Sequence, residues 1–132
     1  MVRVVALNGS SRKDGNTAIL LNLVLDELKK DGIETELIQL SGETLSGCLA
    51  CYQCAENKDQ KCVVVKDRVN EYIAKMQRAD GILLGSPTYI SDMTANMKAI
   101  IERSTIVSRS NGDLFKRKVG AAVIAVRRAG AT

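Results

Sequence analysis

The hydrophobic pattern of the chain predicts short strands that alternate with amphipathic helices. Val2 to Leu7 is mostly apolar and predicts a buried strand, while Gly81 to Gly85, which is wholly apolar, and Val119 to Val126, which has no polar side chain, each predict a further strand. Ile33 to Leu40 is β-prone but carries charged and amide side chains, which predicts an edge strand with one face in water.

Helical periodicity appears in the intervening segments, at about 17–30, 67–78 and 94–104. The predicted buried stripes are Leu21, Val24, Leu25 and Leu28 in the first, Val69, Tyr72, Ile73 and Met76 in the second, and Met93, Met97, Ile100 and Ile101 in the third. The third stripe suits either the core or a dimer surface. The order βαβαβαβ predicts a single α/β domain with a parallel sheet covered by helices on both faces.

Ligands of such sheets bind outside the carboxyl ends of the strands, where the strand order reverses. Three loops of this chain meet that requirement, at 9–17, 86–89 and 127–132. We therefore expect the site to combine residues from these loops.

Composition narrows the function classes. The net charge of the 132 residues is +4, Trp is absent, and no basic stripe is interleaved with aromatic residues, so a nucleic-acid partner is not expected. Met1 leads directly into a strand and no apolar run is long enough to cross a bilayer, so we expect a cytoplasmic protein without a membrane partner. The absence of His excludes Ser-His and Cys-His nucleophilic catalysis and histidine metal ligation.

The segment Gly9 to Thr17 has the composition of an anion-binding loop. It lies between a strand and a helix, so its backbone N–H groups and the helix dipole can face a single phosphate. Arg12 adds a forked set of charged donors. The segment lacks both the P-loop ending and the three-glycine dinucleotide motif, which favours a monophosphate ester. The alternative is an ordinary turn in which Asn16 or Thr17 caps the helix.

All four cysteines lie within the predicted loop 41–65. The spacing is Cys48-x2-Cys51-x2-Cys54-x7-Cys62. Two Cys-x2-Cys steps that share a middle thiolate favour a [4Fe–4S] cluster over zinc. Disulfides and free, redox-active thiols without a metal are the other interpretations.

The tetrapeptide Ser86-Pro87-Thr88-Tyr89 breaks the third predicted strand at its carboxyl end. It offers hydroxyls, backbone N–H groups and one aromatic plane, which suit a flat heterocycle. A plain β-turn with a surface tyrosine is the alternative.

These motifs together resemble the NADPH-dependent FMN reductase group of flavodoxin-like proteins, and within it the iron–sulfur flavoproteins. The residues that carry the resemblance are Gly9-Ser10-Ser11-Arg12, Gly15-Asn16-Thr17, the four cysteines, Ala79-Asp80-Gly81, Gly85-Ser86-Pro87-Thr88-Tyr89, Met97-Lys98 and Glu102-Arg103. The resemblance implies one flavodoxin-like FMN-binding domain over 1–132, a doubly wound parallel sheet in the order 2-1-3-4 and three α/β/α layers. Family members continue with a further loop, a fifth strand and a closing helix, so the chain is expected to be C-terminally shortened.

The resemblance also implies roles for particular residues. The FMN phosphate would be held by Ser10, Arg12, Asn16 and Thr17, and the isoalloxazine would be lined by Pro87, Thr88 and Tyr89. The cluster ligands would be Cys48, Cys51, Cys54 and Cys62. No side chain is assigned an acid or base role.

The implied function is a flavin-dependent oxidoreductase. FMN would accept electrons from NAD(P)H or from a reduced carrier such as ferredoxin and pass them on, with a [4Fe–4S] cluster as a further relay. A homo-oligomer is expected, because one chain of this length has few groups with which to enclose a flavin. The alternatives are a non-enzymatic flavodoxin-like electron carrier and a zinc-binding interaction domain.

Overall fold

A computed structural model describes residues 1–129 and contains four strands and four helices in that range. The chain order is β1 (Arg3–Asn8), α1 (Asn16–Lys30), β2 (Glu34–Gln39), α2 (Gln53–Asn57), α3 (Val69–Arg78), β3 (Gly81–Pro87), α4 (Ala95–Ser110) and β4 (Val119–Ala125). The strands form one parallel sheet in the order β2-β1-β3-β4. The predicted α/β class and strand order are confirmed.

Each face of the sheet packs against its own helices because successive strand residues point to opposite sides. On one face, Val5 and Leu7 of β1 belong to a core with α3 and α4. On the other face, Val4 and Ala6 pack with Leu21 of α1. These two cores give the three-layer arrangement and hold β1 at the centre of the sheet.

Most predicted buried stripes are confirmed. Val69, Tyr72, Ile73 and Met76 are all buried, and Met97 and Ile100 lie in the core rather than at a free surface. One prediction in α1 was wrong, since Val24 is exposed. The buried stripe of that helix instead consists of Thr17, Ala18, Leu21 and Leu25.

Three predicted boundaries were also wrong. Strand β3 continues through Ser86 and Pro87, which pair with β4, so the strand is broken only after Pro87. Helix α4 extends to Ser110 because its last turns are buried through Val107 and Ser108. The predicted loop 41–65 contains the short helix α2, which no periodicity indicated.

The two edges of the described sheet differ in character. β2 is an edge strand, as predicted, but the prediction that one of its faces is in water was wrong, because Ile38 packs into one core and Leu37 against the other. The apolar strand β4 at the opposite edge is largely exposed, with Val119 at 75% and Ile124 at 43%. Within residues 1–129, no helix has the length and apolar character needed to cross a bilayer.

Candidate functional site

The loop after β1 is shaped by side chains that bond to its backbone. The buried Asn8 accepts a hydrogen bond from the Ser10 N–H at 3.1 Å, and the Ser10 hydroxyl accepts one from the Arg12 N–H at 3.1 Å. From the neighbouring strand, the Gln39 amide donates to the Lys13 carbonyl at 3.1 Å. These three hydrogen bonds tie the loop to its own backbone and to β2.

Gly9 lets the loop approach the rest of the sheet closely. Its N–H donates to the Gly85 carbonyl at 2.7 Å, and its carbonyl accepts from the Thr94 hydroxyl at 2.7 Å. A Cβ at this position would lie 3.0 Å from Thr94 Oγ1 and 3.0 Å from Met97 Cβ. Thr94 also caps α4, so the loop is joined directly to the start of that helix.

The amino terminus of α1 faces the same loop. Its N-cap is Gly15, and within the described chain no side chain caps this end of the helix. The alternative in which Asn16 or Thr17 caps the helix is therefore wrong. The first-turn N–H groups of α1 and the positive end of its dipole remain able to bind an anion.

All seven side chains predicted to contact the flavin line one pocket of about 790 Å³. They are Ser10, Arg12, Asn16, Thr17, Pro87, Thr88 and Tyr89. The volume falls within the range typical of cofactor sites. Two separate βα loops thus converge at the carboxyl ends of the strands.

The same pocket contains residues without a predicted role. Ile19 and Leu20 of α1 form an apolar wall, and Ile124 and Val126 contribute from the end of β4. Arg127 adds a second cation and comes from the third predicted loop, whose residues 130–132 lie outside the described range. Ile19 and Leu20 could have been predicted as pocket residues, because they are apolar, follow the anion loop directly and lie outside the buried stripe of α1.

Tyr89 lies beside the anion loop. The influence of Ser11 and then of Ser10 on its hydroxyl holds the pKa of the phenol below the ordinary value of 10.0. The following residues Ile90 and Ser91 have φ of 49° and 59°, so the chain turns sharply after the tyrosine. The aromatic ring is thus presented beside the anion loop.

The four cysteines line a second pocket that shares no lining residue with the first. They are free thiols, and Cys54 is buried whereas Cys51 is exposed. The disulfide interpretation is not supported. Across residues 1–129, no three His, Cys, Asp or Glu side chains lie in an arrangement that would itself hold a metal ion.

Helices α3 and α4 hold the cysteine loop. The Cys48 N–H donates to the Glu102 carboxylate at 3.0 Å, and Cys62 exchanges two hydrogen bonds of 2.8 Å with the Asn70 amide. The Ala50 N–H donates to the Cys48 sulfur at 3.4 Å. Cys48 and Cys62 are therefore both tied to defined partners.

Arg103 lies beneath this loop and is only 1% exposed. Its guanidinium forms an ion pair with Asp67 at 2.6 Å and donates to the carbonyls of Ser46 and Val64. Burial lowers the pKa of Arg103, but the hydrogen-bonded ion pair with Asp67 and then the influence of the Cys62 thiol outweigh it and raise the pKa. One side chain thus connects both ends of the loop, and the family resemblance included Arg103 but implied no role for it.

Comparisons with known proteins agree with the geometry. The family model described as NADPH-dependent FMN reductase matches residues 2–132. An iron–sulfur flavoprotein of Methanocaldococcus jannaschii is 38% identical over 92% of this chain, and one of Methanosarcina thermophila is 35% identical over 92%. The chain spans 61% and 62% of the length of these two relatives.

A solved structure supports the fold alone. The NAD(P)H:quinone oxidoreductase from Methanothermobacter marburgensis superposes with a TM-score of 0.69 at 17% identity, covering 95% of this chain and 65% of its own. The flavodoxin-like arrangement predicted from the sequence is confirmed.

Proposed function

The chain belongs to the NADPH-dependent FMN reductase family, and on that premise we propose that it binds FMN and takes electrons from NAD(P)H or from a reduced carrier such as ferredoxin. The observation that carries this proposal is the convergence of seven residues from two loops on one pocket. The pocket combines an anion site, hydroxyl groups, an aromatic ring and apolar walls, which are the features that a phosphorylated flavin needs.

The phosphate of FMN suits the end of the pocket formed by Ser10, Arg12, Asn16 and Thr17. Two observations support this fit. The amino terminus of α1 has no side-chain cap within the described residues, and Gly9 and Gly15 keep the loop free of bulk. A dianion there would meet hydroxyls, backbone N–H groups, a helix dipole and one guanidinium.

The ring of FMN suits the other end, beside Pro87, Thr88 and Tyr89. Bound FMN supplies the redox chemistry itself. The residues of this chain would bind the cofactor, orient its ring against Tyr89 and exclude water with Ile19 and Leu20. No side chain is required as a general acid or base.

The four cysteines are proposed ligands of a [4Fe–4S] cluster. The donor set fits, because four thiols line one pocket whose remaining walls are mainly apolar. The sulfurs would have to draw closer together to bind iron. A bound cluster would supply one-electron transfer, while zinc or metal-free thiols would leave a plain flavin reductase.

We further propose a homo-oligomer in the cytoplasm. One side of the flavin pocket is the largely exposed strand β4, which a second subunit would shield. Four reduced thiols suit a reducing compartment.

The test of the flavin site is a comparison of FMN with riboflavin by fluorescence titration of the purified protein. If the phosphate is held as proposed, FMN binds at least about tenfold more tightly than riboflavin. Equal affinities would remove the phosphate assignment. NADPH oxidation with free acceptors then separates a reductase from a non-enzymatic electron carrier.

The test of the cysteine site is the iron and zinc content of protein purified without oxygen. We expect about four iron atoms per chain, with iron lost in Cys51→Ser but retained in Glu56→Gln, a change in the same loop at an exposed carboxylate. FMN should remain bound in both variants, since the two pockets share no residue. One zinc per chain would favour the zinc-binding alternative.

A further inference from the structure

We propose that Arg103 is a positioning residue for the iron–sulfur chemistry. Its Nε–H donates a hydrogen bond to a cysteine sulfur in the pocket lined by the four cysteines, and this bond raises the reduction potential of the cluster proposed to bind there. The inference rests on the proposed cluster function, and it concerns a residue that does not line the proposed flavin pocket.

The first observation is the donor inventory of the guanidinium. Arg103 has five N–H donors. Its two terminal nitrogens are engaged by Asp67, at 2.6 and 3.1 Å, and by the carbonyls of Ser46 and Val64, at 3.3 and 3.0 Å. The Nε atom is buried and, among the residues described, has no hydrogen-bond partner.

The second observation is the position of Arg103. It lines the pocket that contains all four cysteines, among them Cys62. Because the terminal nitrogens face Asp67 and the two carbonyls, Nε–H is the donor that Arg103 has left for this pocket. Buried polar groups in proteins nearly always have a partner, so an unpaired N–H beside thiols points to a sulfur acceptor.

The third observation concerns charge. The ion pair with Asp67 neutralises much of the positive charge, so the effect on the cysteines comes mainly from a directed N–H dipole held in place by that pair. One-electron reduction adds negative charge to the cluster and its sulfurs. A donor aimed at a sulfur therefore favours the reduced state, and Arg103 stays protonated throughout.

A purely structural role is the competing explanation, because Arg103 also bonds the carbonyls of Ser46 and Val64 at the two ends of the loop. The two roles predict different spectra. If the role is only structural, loss of Arg103 changes cluster content or protein stability, and no arginine nitrogen is coupled to the cluster. A hydrogen bond to sulfur, in contrast, couples an arginine nitrogen magnetically to the reduced cluster.

The experiment uses wild-type protein labelled with ¹⁵N only in arginine, purified without oxygen and reduced with dithionite. We expect pulsed EPR to detect ¹⁵N coupling to the cluster. A protein that contains iron but shows no such coupling would overturn the inference and leave the proposed function intact. A protein without iron would overturn both, so the two failures are distinguishable.

Variants supply the second measurement. Arg103→Lys keeps the charge but has no Nε–H, and we expect it to lose the coupling and to show a more negative midpoint potential in a redox titration. Arg109→Lys is the matched control, because Arg109 is exposed on the same helix. An unchanged potential in Arg103→Lys, or an equal shift in both variants, would refute the assignment. If Arg103→Lys fails to fold, the wild-type ¹⁵N spectrum alone decides.

Discussion

Substituting Gly9 by alanine tests how tightly the anion loop sits on the strand and helix behind it. The added Cβ would lie 3.0 Å from Met97 Cβ, 3.0 Å from Thr94 Oγ1 and 3.1 Å from the Gly85 carbonyl oxygen. None of these atoms is the free end of a flexible side chain, since Thr94 Oγ1 is fixed by two hydrogen bonds. The loop and α4 must therefore move apart by a few tenths of an ångström.

The expected loss in free energy of unfolding has two sources, the crowding around the added Cβ and the weakening of one hydrogen bond. Overpacking of this kind costs about 1–3 kcal/mol, and weakening the 2.7 Å bond between Thr94 and the Gly9 carbonyl adds about 0.5–1.5 kcal/mol. Gly120→Ala is the matched control, because a Cβ there meets nothing within 4 Å. Both variants lose glycine's conformational freedom in the unfolded chain, so their difference isolates the crowding, which we expect to be about 2–4 kcal/mol.

Urea unfolding of the flavin-free protein measures this difference. We expect the midpoint of Gly9→Ala to lie about 1–2 M below that of Gly120→Ala. A titration of each variant with FMN should show weaker binding only for Gly9→Ala, because the displaced loop carries Ser10 and Arg12. Equal unfolding midpoints for the two variants would refute the close packing on which the anion site depends.

Three other predictions concern ligand binding, pH and assembly. Arg12→Ala should weaken FMN binding by about tenfold or more, whereas Lys13→Ala, which leaves the bracing backbone carbonyl in place, should not; fluorescence titration decides. Burial raises the pKa of the Asp67 carboxyl, but hydrogen bonds, chiefly the one from Arg103, lower it by more. The pKa therefore lies below its ordinary value of 3.8. The stability from this pair is therefore present above about pH 4 and lost as the pH falls, so wild type should lose more stability on acidification than Asp67→Asn in urea melts. Light scattering should show a homo-oligomer, and a monomer with solvent-protected FMN would contradict that expectation.

The parts of the fold that depend on local patterns could be predicted from the sequence. Short apolar runs such as Gly81 to Gly85 are typical of parallel strands covered by helices on both faces. Once the strands are parallel, the loops after β1 and β3 must meet at one edge. Seven residues of the proposed flavin pocket were predicted for this reason together with the family resemblance.

The remaining features of the fold and of the site depend on contacts between residues far apart in the chain. Gln39 braces the anion loop from another strand, and no local signal marks it. The last turns of α4 look polar in the sequence, yet Ser108 is buried there. Its hydroxyl accepts a hydrogen bond from the Phe115 N–H, a distant contact that no local pattern reveals. Arg103 did leave a signal, since it falls three residues after Ile100 on the buried face of its helix. A charge in that position indicates a buried partner.

The tethers of the cysteine loop bear on how this fold can diversify. Its side-chain hydrogen bonds run to α3 and α4, through residues such as Asn70, Glu102 and Ser110, while the flavin pocket draws on the other loops, α1 and β4. The two pockets share no lining residue, but both loops rest on α4, whose Thr94 bonds the anion loop and whose Glu102 bonds the cysteine loop. A change confined to the cysteine loop therefore leaves the lining of the proposed flavin pocket in place, whereas a shift of α4 along its axis would move both loops at once.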